Sequence, residues 1–310
     1  MSLAFVFPGQ GSQSVGMYAD LAANHPEVRA TFDEASTELG HDLWQVVANG
    51  PEEELNKTHV TQPAMLAAGV AAWRAWLAQG GKKPAVMAGH SLGEYTALVC
   101  AGALEFADAV RLVAERGRFM QEAVPAGAGA MAAILGLDDT QVVEVCAQAA
   151  QGDVVSAVNF NSPGQVVVAG SAAAVQRAVD LAKGAGAKRA VLLPVSVPSH
   201  CSLMKPAADR LAERLASIDV KAPSIPVLNN VDVTAADDPA AIRDALVRQL
   251  YSPVRWVETI RRMHADGVDR LVECGPGKVL VGLNKRIEKD MAASAIVDAA
   301  SLAQALNENA

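Results

Sequence analysis

The sequence predicts an α/β fold in which a mostly parallel sheet carries helices on both faces and a small βαββαβ subdomain is inserted into it. Short apolar runs at 3–7, 84–88, 225–230 and 269–274 are separated by helical patterns, the alternation that parallel strands with crossover helices require. Three of these runs break into glycine-rich turns: Pro8-Gly9-Gln10-Gly11, Gly89-His90-Ser91-Leu92-Gly93 and Gly275-Pro276-Gly277. Between residues 127 and 196 the pattern shortens and follows an order of its own.

Residues 3–7 read as a buried strand that stops at Pro8. Helical periodicity follows over 18–39 and again over 62–77. The strand ending near Ala88 leads into Ser91, and 94–99 read as a helix. In the insert, 131–137 read as strand and 138–151 as helix, with Asp138 or Asp139 suited to the cap. Segments 154–161 and 165–170 are strands joined by Ser162-Pro163-Gly164, 171–185 is a helix and 189–195 a strand. This is the ferredoxin-like order. The division expected is therefore a discontinuous large subdomain, 1–126 and 197–310, and a small ferredoxin-like one, 127–196. In an open parallel sheet the ligand crevice lies outside the carboxyl ends of the strands, where Gln10, Ser91 and the 275–277 turn would gather.

With 310 residues, 51% hydrophobic and 19% charged, the chain is expected to be globular and amply cored. No apolar stretch approaches a membrane span, and the first residues lack the basic region of an export signal, so a cytoplasmic location is expected. Cys100, Cys146, Cys201 and Cys274 form no C-x-x-C pair, so neither a zinc site nor a disulfide framework is signalled. A net charge of −8 argues against a nucleic-acid partner. Lys82-Lys83, Lys188-Arg189, Lys278 and Lys285-Arg286 read as solvated surface charge, with a local basic patch as the alternative.

The chemistry is carried by Gly89-His90-Ser91-Leu92-Gly93. A serine between two glycines on a strand-to-helix turn is a nucleophile elbow, with the Leu92 N–H aimed at the oxygen of an attacked carbonyl. Ser91 needs a base. His90 is its neighbour and reads as support for the turn, while His25, His41, His59 and His264 read as surface or capping residues. His200 follows the insert's last strand in a proline-stiffened loop and is the favoured base. Cys201 reads as packing. No carboxylate stands out as a third triad member, and a histidine oriented by a backbone carbonyl would suffice. Ser14 occupies the sixth position of a would-be dinucleotide motif, so the glycine-flanked Gln10 N–H reads better as a second oxyanion donor. Arg111 and Arg118 share a helix face from which Arg116 departs, and from the residues alone a structural ion pair is the favoured reading of Arg116.

Phe7-Pro8-Gly9-Gln10-Gly11-Ser12-Gln13, Gly89-His90-Ser91-Leu92-Gly93-Glu94, Arg116, Asn161-Ser162-Pro163-Gly164-Gln165, Pro198-Ser199-His200 and Glu273-Cys274-Gly275-Pro276-Gly277 together resemble the malonyl-CoA:acyl carrier protein transacylases over essentially the whole chain. The resemblance implies a hydrolase-like large subdomain and a malonyl transfer through Ser91, with His200 as base. It implies Gln249 as the backbone carbonyl orienting that histidine, Gln10 and Leu92 as oxyanion donors, and Arg116 as the clamp on the malonyl carboxylate. Malonyl-CoA is then a substrate, acyl carrier protein the partner, and no metal or other cofactor is needed. A monomer is expected. A thioesterase, a non-catalytic carrier-protein module and a polyketide acyltransferase are the rival readings.

Overall fold

The computed structural model describes residues 2–195 and 197–309. Nine strands among them form two sheets. In the first, β1 (Leu3–Phe7), β2 (Val86–Gly89), β7 (Val227–Leu228), β8 (Arg270–Cys274) and β9 (Ala292–Ile296) run parallel in the order β7-β2-β1-β8-β9. β1 is central because its residues suit burial on both faces, and Ala4, Phe5, Val6 and Phe7 are all inaccessible to solvent. Alternation sends Phe5 and Phe7 toward the helix Thr58–Ala78, where Trp73 and Trp76 meet Phe5 edge-on at 5.4 and 5.1 Å. Ala4 and Val6 pack on the other face against Val254, Trp256 and Ile260.

The second sheet comprises β3 (Gly129–Leu135), β4 (Val155–Ser162), β5 (Gln165–Ser171) and β6 (Arg189–Leu192), antiparallel in the order β4-β5-β3-β6. With helices Asp139–Ala150 and Ala172–Gly184 on one face, this is the βαββαβ arrangement expected. Its other face, Met131, Val158, Val167 and Ala169, packs on Cys201, so the small sheet is applied to the chain just beyond the base candidate. Asp138 caps the helix as expected, its side chain accepting from the Gln141 N–H.

Several boundaries differ from the sequence reading, each for a local reason. The helix expected over 18–39 is two, Ala19–Asn24 and Pro26–Leu39, because Pro26 has no N–H to continue the first and opens the second. The strand expected over 225–230 shrinks to Val227–Leu228, since Asn229 turns back to Thr234 and Asn230 is drawn to the elbow. β6 stops at Leu192, two residues before Pro194, rather than reaching 195. β3 ends at Leu135 because Gly136 takes φ 96°. Helices Leu43–Asn49, Glu52–Leu55, Pro239–Gln249 and Trp256–Ala265 and strand β9 were not anticipated.

Candidate active site

β2 ends at Gly89 and the next helix, Gly93–Cys100, begins four residues later. Ser91 between them adopts φ 52°, a left-handed conformation costly for a residue with a Cβ. It is held by one side chain. Asn230 accepts from the Ser91 N–H through Oδ1 at 2.7 Å and donates through Nδ2 to the Gly89 carbonyl at 2.6 Å. Both motif glycines are sterically obligatory: a Cβ at Gly89 would lie 1.8 Å from the Gly93 carbonyl carbon, and one at Gly93 would lie 2.0 Å from the Phe7 oxygen.

Ser91 and His200 meet across 109 residues, with Oγ 2.8 Å from Nε2. His200, also left-handed at φ 66°, places Nδ1 2.8 Å from the Gln249 carbonyl oxygen. A carbonyl can only accept, so Nδ1 carries the proton and Nε2 is free to accept from Ser91. Burial and then the adjacent Arg116 charge lower the His200 pKa to about 3, which keeps the imidazole neutral. Among the described residues no carboxylate contacts it.

Arg116 is 1% exposed and lies on the buried stripe of helix Phe106–Ala123, with Leu112 and Met120 one turn to either side. Its neighbour Gly117 lets that helix approach Thr58–Ala78, since a Cβ there would come within 2.7 Å of the His59 Cα. Nη1 donates to Gln62 Oε1 at 2.9 Å, and Nη2 to Gln249 Oε1 at 3.0 Å, with Ser91 Oγ at 3.5 Å. The Tyr95 ring lies 5.2 Å beneath the guanidinium, and Nε has no partner among the described residues. The ion pair favoured by the residues alone is therefore not formed among the described residues. Arg111 instead pairs with Glu38 and Asp108, on the half-exposed face.

These groups share a cavity of about 130 Å³ between the two sheets, lined also by Gln10, Leu92, Met120, Met131, Asn159 and Val197. Neither the Gln10 nor the Leu92 N–H has a hydrogen-bond partner among the described residues, which leaves both available to an anion. Gln10 projects from the Pro8–Gly11 loop, and its Nε2 reaches the Thr58 hydroxyl at 3.5 Å. The 275–277 turn, expected at the rim, does not line the cavity. It lies one layer behind, where a Cβ on Gly275 would strike Pro8 at 2.4 Å, so it buttresses the Gln10 loop. His90 donates through Nε2 to Asn161 Oδ1 at 2.8 Å and, as expected, supports the turn. Bulges in β4 around Asn159 direct that side chain toward the cavity. No group of metal-ligating side chains occurs among the described residues.

Sequence reasoning passed over Gln62, Glu94, Asn230 and the side chain of Gln249. A signal existed for three of them. Gln62 interrupts an apolar helical run, Glu94 opens one, and Gln249 continues the stripe of Ile242, Ala245 and Leu246; each is a polar residue where the pattern calls for burial. Asn230 carries no local signal.

Residues 4–304 match the acyl transferase domain family. The malonyl CoA-acyl carrier protein transacylase of Salmonella typhimurium is 64% identical over 305 residues, covering 98% of this chain and 99% of that one. Among solved structures, an acyl carrier protein S-malonyltransferase from Vibrio cholerae superposes with a TM-score of 0.96 at 62% identity, over 98% of this chain and 100% of the other. A malonyl-transacylase solved in complex with a type II PKS acyl-carrier protein gives a TM-score of 0.99 at 60% identity, with complete coverage of both chains. An elbow serine, a histidine tied to a backbone carbonyl and a buried arginine thus occur in a chain that belongs to the malonyl CoA-acyl carrier protein transacylases, within the acyl transferase family.

Proposed function

We propose that this chain transfers a malonyl group from malonyl-CoA to the phosphopantetheine thiol of an acyl carrier protein, through a malonyl ester on Ser91. The observation that carries this reading is the placement of one guanidinium without an ion-pair partner among the described residues, Arg116, 3.5 Å from a serine hydroxyl that is itself 2.8 Å from a neutral imidazole. A buried fork of donors answered only by amides suits a planar carboxylate that arrives with the substrate.

His200 Nε2 takes the Ser91 proton as Oγ bonds to the thioester carbon. The developing oxyanion is held by the N–H groups of Gln10 and Leu92, the latter at the amino end of helix Gly93–Cys100. As the C–S bond breaks, the imidazolium gives its proton to the departing CoA thiolate. The pantetheine thiol then reverses these steps, giving ping-pong kinetics. Burial is the main cause of the low His200 pKa and the Arg116 charge the second; the malonyl carboxylate offsets the second alone, so the bound substrate raises the basicity of its own catalyst in part. No metal or resident cofactor takes part. A cytoplasmic location forms part of this reading. No helix among the described residues is long and apolar enough to cross a membrane. Residues 127–196 act as a small subdomain roofing the cleft of the large one, 1–126 and 197–310, in keeping with Met131 and Asn159 on one side of the cavity and Ser91 on the other.

The test is intact-mass spectrometry after incubation with malonyl-CoA. One malonyl adduct on the wild type, mapped to Ser91 and absent from Ser91→Ala, is expected; an adduct elsewhere, or none, refutes the mechanism. The likeness to a transacylase that serves a type II PKS carrier favours assaying carriers of both fatty acid and polyketide type.

A further inference from the structure

We propose that Glu94 is a positioning residue that fixes the direction of the Arg116 guanidinium through the side-chain amide of Gln249, and so sets the preference for carboxylate-bearing acyl groups. The proposal rests on the functional reading above and adds to it a residue that no step of the reaction uses.

Glu94 is 2% exposed in the first turn of the helix after the elbow, and the hydrogen bonds of Arg116 go to Gln62, Gln249 and Ser91 rather than to it. One of its oxygens, Oε2, accepts two hydrogen bonds, from the Asn230 backbone N–H at 2.9 Å and from Gln249 Nε2 at 2.8 Å. The Gln249 amide has two ends that differ in chemistry. Nε2 lies between two groups that can only accept, Glu94 Oε2 and, at 3.1 Å, the Ser91 carbonyl. That end must therefore be the donor, and Oε1 is forced to face Arg116 Nη2 at 3.0 Å. Without Glu94 the amide is still oriented by the Ser91 carbonyl at one end and the Arg116 donor at the other, but it loses the shorter of the two bonds that anchor Nε2. An amide released at that end can shift together with the guanidinium it accepts from, displacing the fork from its direction toward the Ser91 hydroxyl.

Glu94 also holds the backbone of Asn230, whose side chain braces Ser91, so one carboxylate stands behind both the elbow and the clamp. Its acceptor role does not depend on ionisation. Burial raises its pKa to about 7, but a proton taken up would sit on Oε1, which makes neither of these bonds. The group is therefore needed as an oxygen at a fixed point, and glutamine at position 94 can supply one.

The experiment measures kcat/KM for Ser91 acylation by malonyl-CoA and by acetyl-CoA, with folding of each variant checked by thermal melting. Glu94→Gln is expected to keep the malonyl-to-acetyl ratio within about threefold of the wild type. Glu94→Met, similar in volume but lacking the oxygen, is expected to lower it roughly 10- to 100-fold, as loss of one charge-assisted hydrogen bond from a pair does. Because Glu94 reaches the clamp through Gln249, Glu94→Met on a Gln249→Ala background is expected to lower the malonyl-to-acetyl ratio no further, while any loss through the Asn230 contact falls on both thioesters alike. Glu94→Asp keeps the charge but withdraws the oxygen by one methylene, and it must lower the ratio as well, which preserves the test should the methionine variant not fold. An unchanged ratio in folded Glu94→Met or Glu94→Asp overturns the proposal, as does a fall in Glu94→Gln matching that of Glu94→Met. A wild-type ratio near one would instead count against the carboxylate preference itself, so the two readings fail distinguishably.

Discussion

Replacing Arg116 by alanine separates the carboxylate clamp from the rest of the catalytic apparatus. In the malonyl reaction the two Nη groups would form two charge-assisted hydrogen bonds to the acyl carboxylate at a site 1% exposed to solvent. At about 1.5–3 kcal/mol each, their loss amounts to roughly 3–6 kcal/mol, or about 10²- to 10⁴-fold in kcat/KM at tenfold per 1.4 kcal/mol. An acetyl group has nothing to lose. For it the substitution removes an unmatched buried cation and, with it, the charge that ranks second after burial in lowering the His200 pKa, so its rate is expected to hold or rise. The rest of the site stays in place, because His200 is tied to the Gln249 backbone carbonyl while the Gln249 side chain remains bonded to Glu94 and the Ser91 carbonyl. Arg116→Lys should fall between, as a point charge that cannot form the parallel pair. The assay is acylation of the enzyme by each thioester, followed by release of free CoA. Equal losses on malonyl and acetyl would refute the clamp and leave Arg116 a structural residue.

Removing the nucleophile with Ser91→Ala is expected to lower transfer by about 10⁴-fold or more, and a variant retaining a tenth of the wild-type rate would show that another group attacks. Gly89→Ala, whose Cβ would lie 1.8 Å from Gly93, should destabilise by about 4 kcal/mol or more. Gly282→Ala, in a helix with open space around it, should stabilise by roughly 0.5–1 kcal/mol; melting temperatures that failed to diverge would contradict the steric account of the elbow. Glu94→Gln tests the buried carboxyl by linkage. The folded pKa, about 7, lies above the ordinary 4.5, so the wild type loses stability relative to the glutamine variant as pH rises from 4.5 through 7. The gap should reach on the order of 3 kcal/mol at pH 8 and vanish near pH 4. Melting curves at both pH values check it, and a gap that does not widen with pH would mean that Glu94 is not desolvated.

The elbow was legible in the sequence because everything that makes it is local. A strand, two glycines that permit the crossing and a helix lie within a few consecutive residues, and each glycine is demanded by a backbone atom of the same turn or of β1. The βαββαβ order was legible for a similar reason, its turns and caps being marked by Asp138 and by Ser162-Pro163-Gly164. What could not be read were pairings between polar groups far apart in the chain. Gln249 lies 133 residues from Arg116 and 155 from Glu94, and Asn230 lies 139 from Ser91. Gln249 continues the buried stripe of Ile242, Ala245 and Leu246, but burial alone does not tell a node of the site from an ordinary enclosed amide, since its partners lie in distant segments.

At Arg116 the helical pattern carries more than the choice of an ion pair. The residue departs from the face of Arg111 and Arg118, and the consequence lies in where that departure leads. Positions 109, 112, 113, 116 and 120 form the buried stripe of the helix, so an arginine at 116 must be enclosed. An enclosed cation demands a counter-charge or an equivalent set of acceptors. The fold answers with two amide oxygens and an aromatic face, and the Glu94 carboxylate acts on the guanidinium through space and through the Gln249 amide without forming an ion pair with it. A direct carboxylate partner would have made the arginine cheaper to bury and would have occupied the donors that the acyl group needs. The arrangement therefore sacrifices stability for an unfilled coordination position, and this is why a lone buried arginine with neutral partners indicates a binding role where a buried ion pair would not.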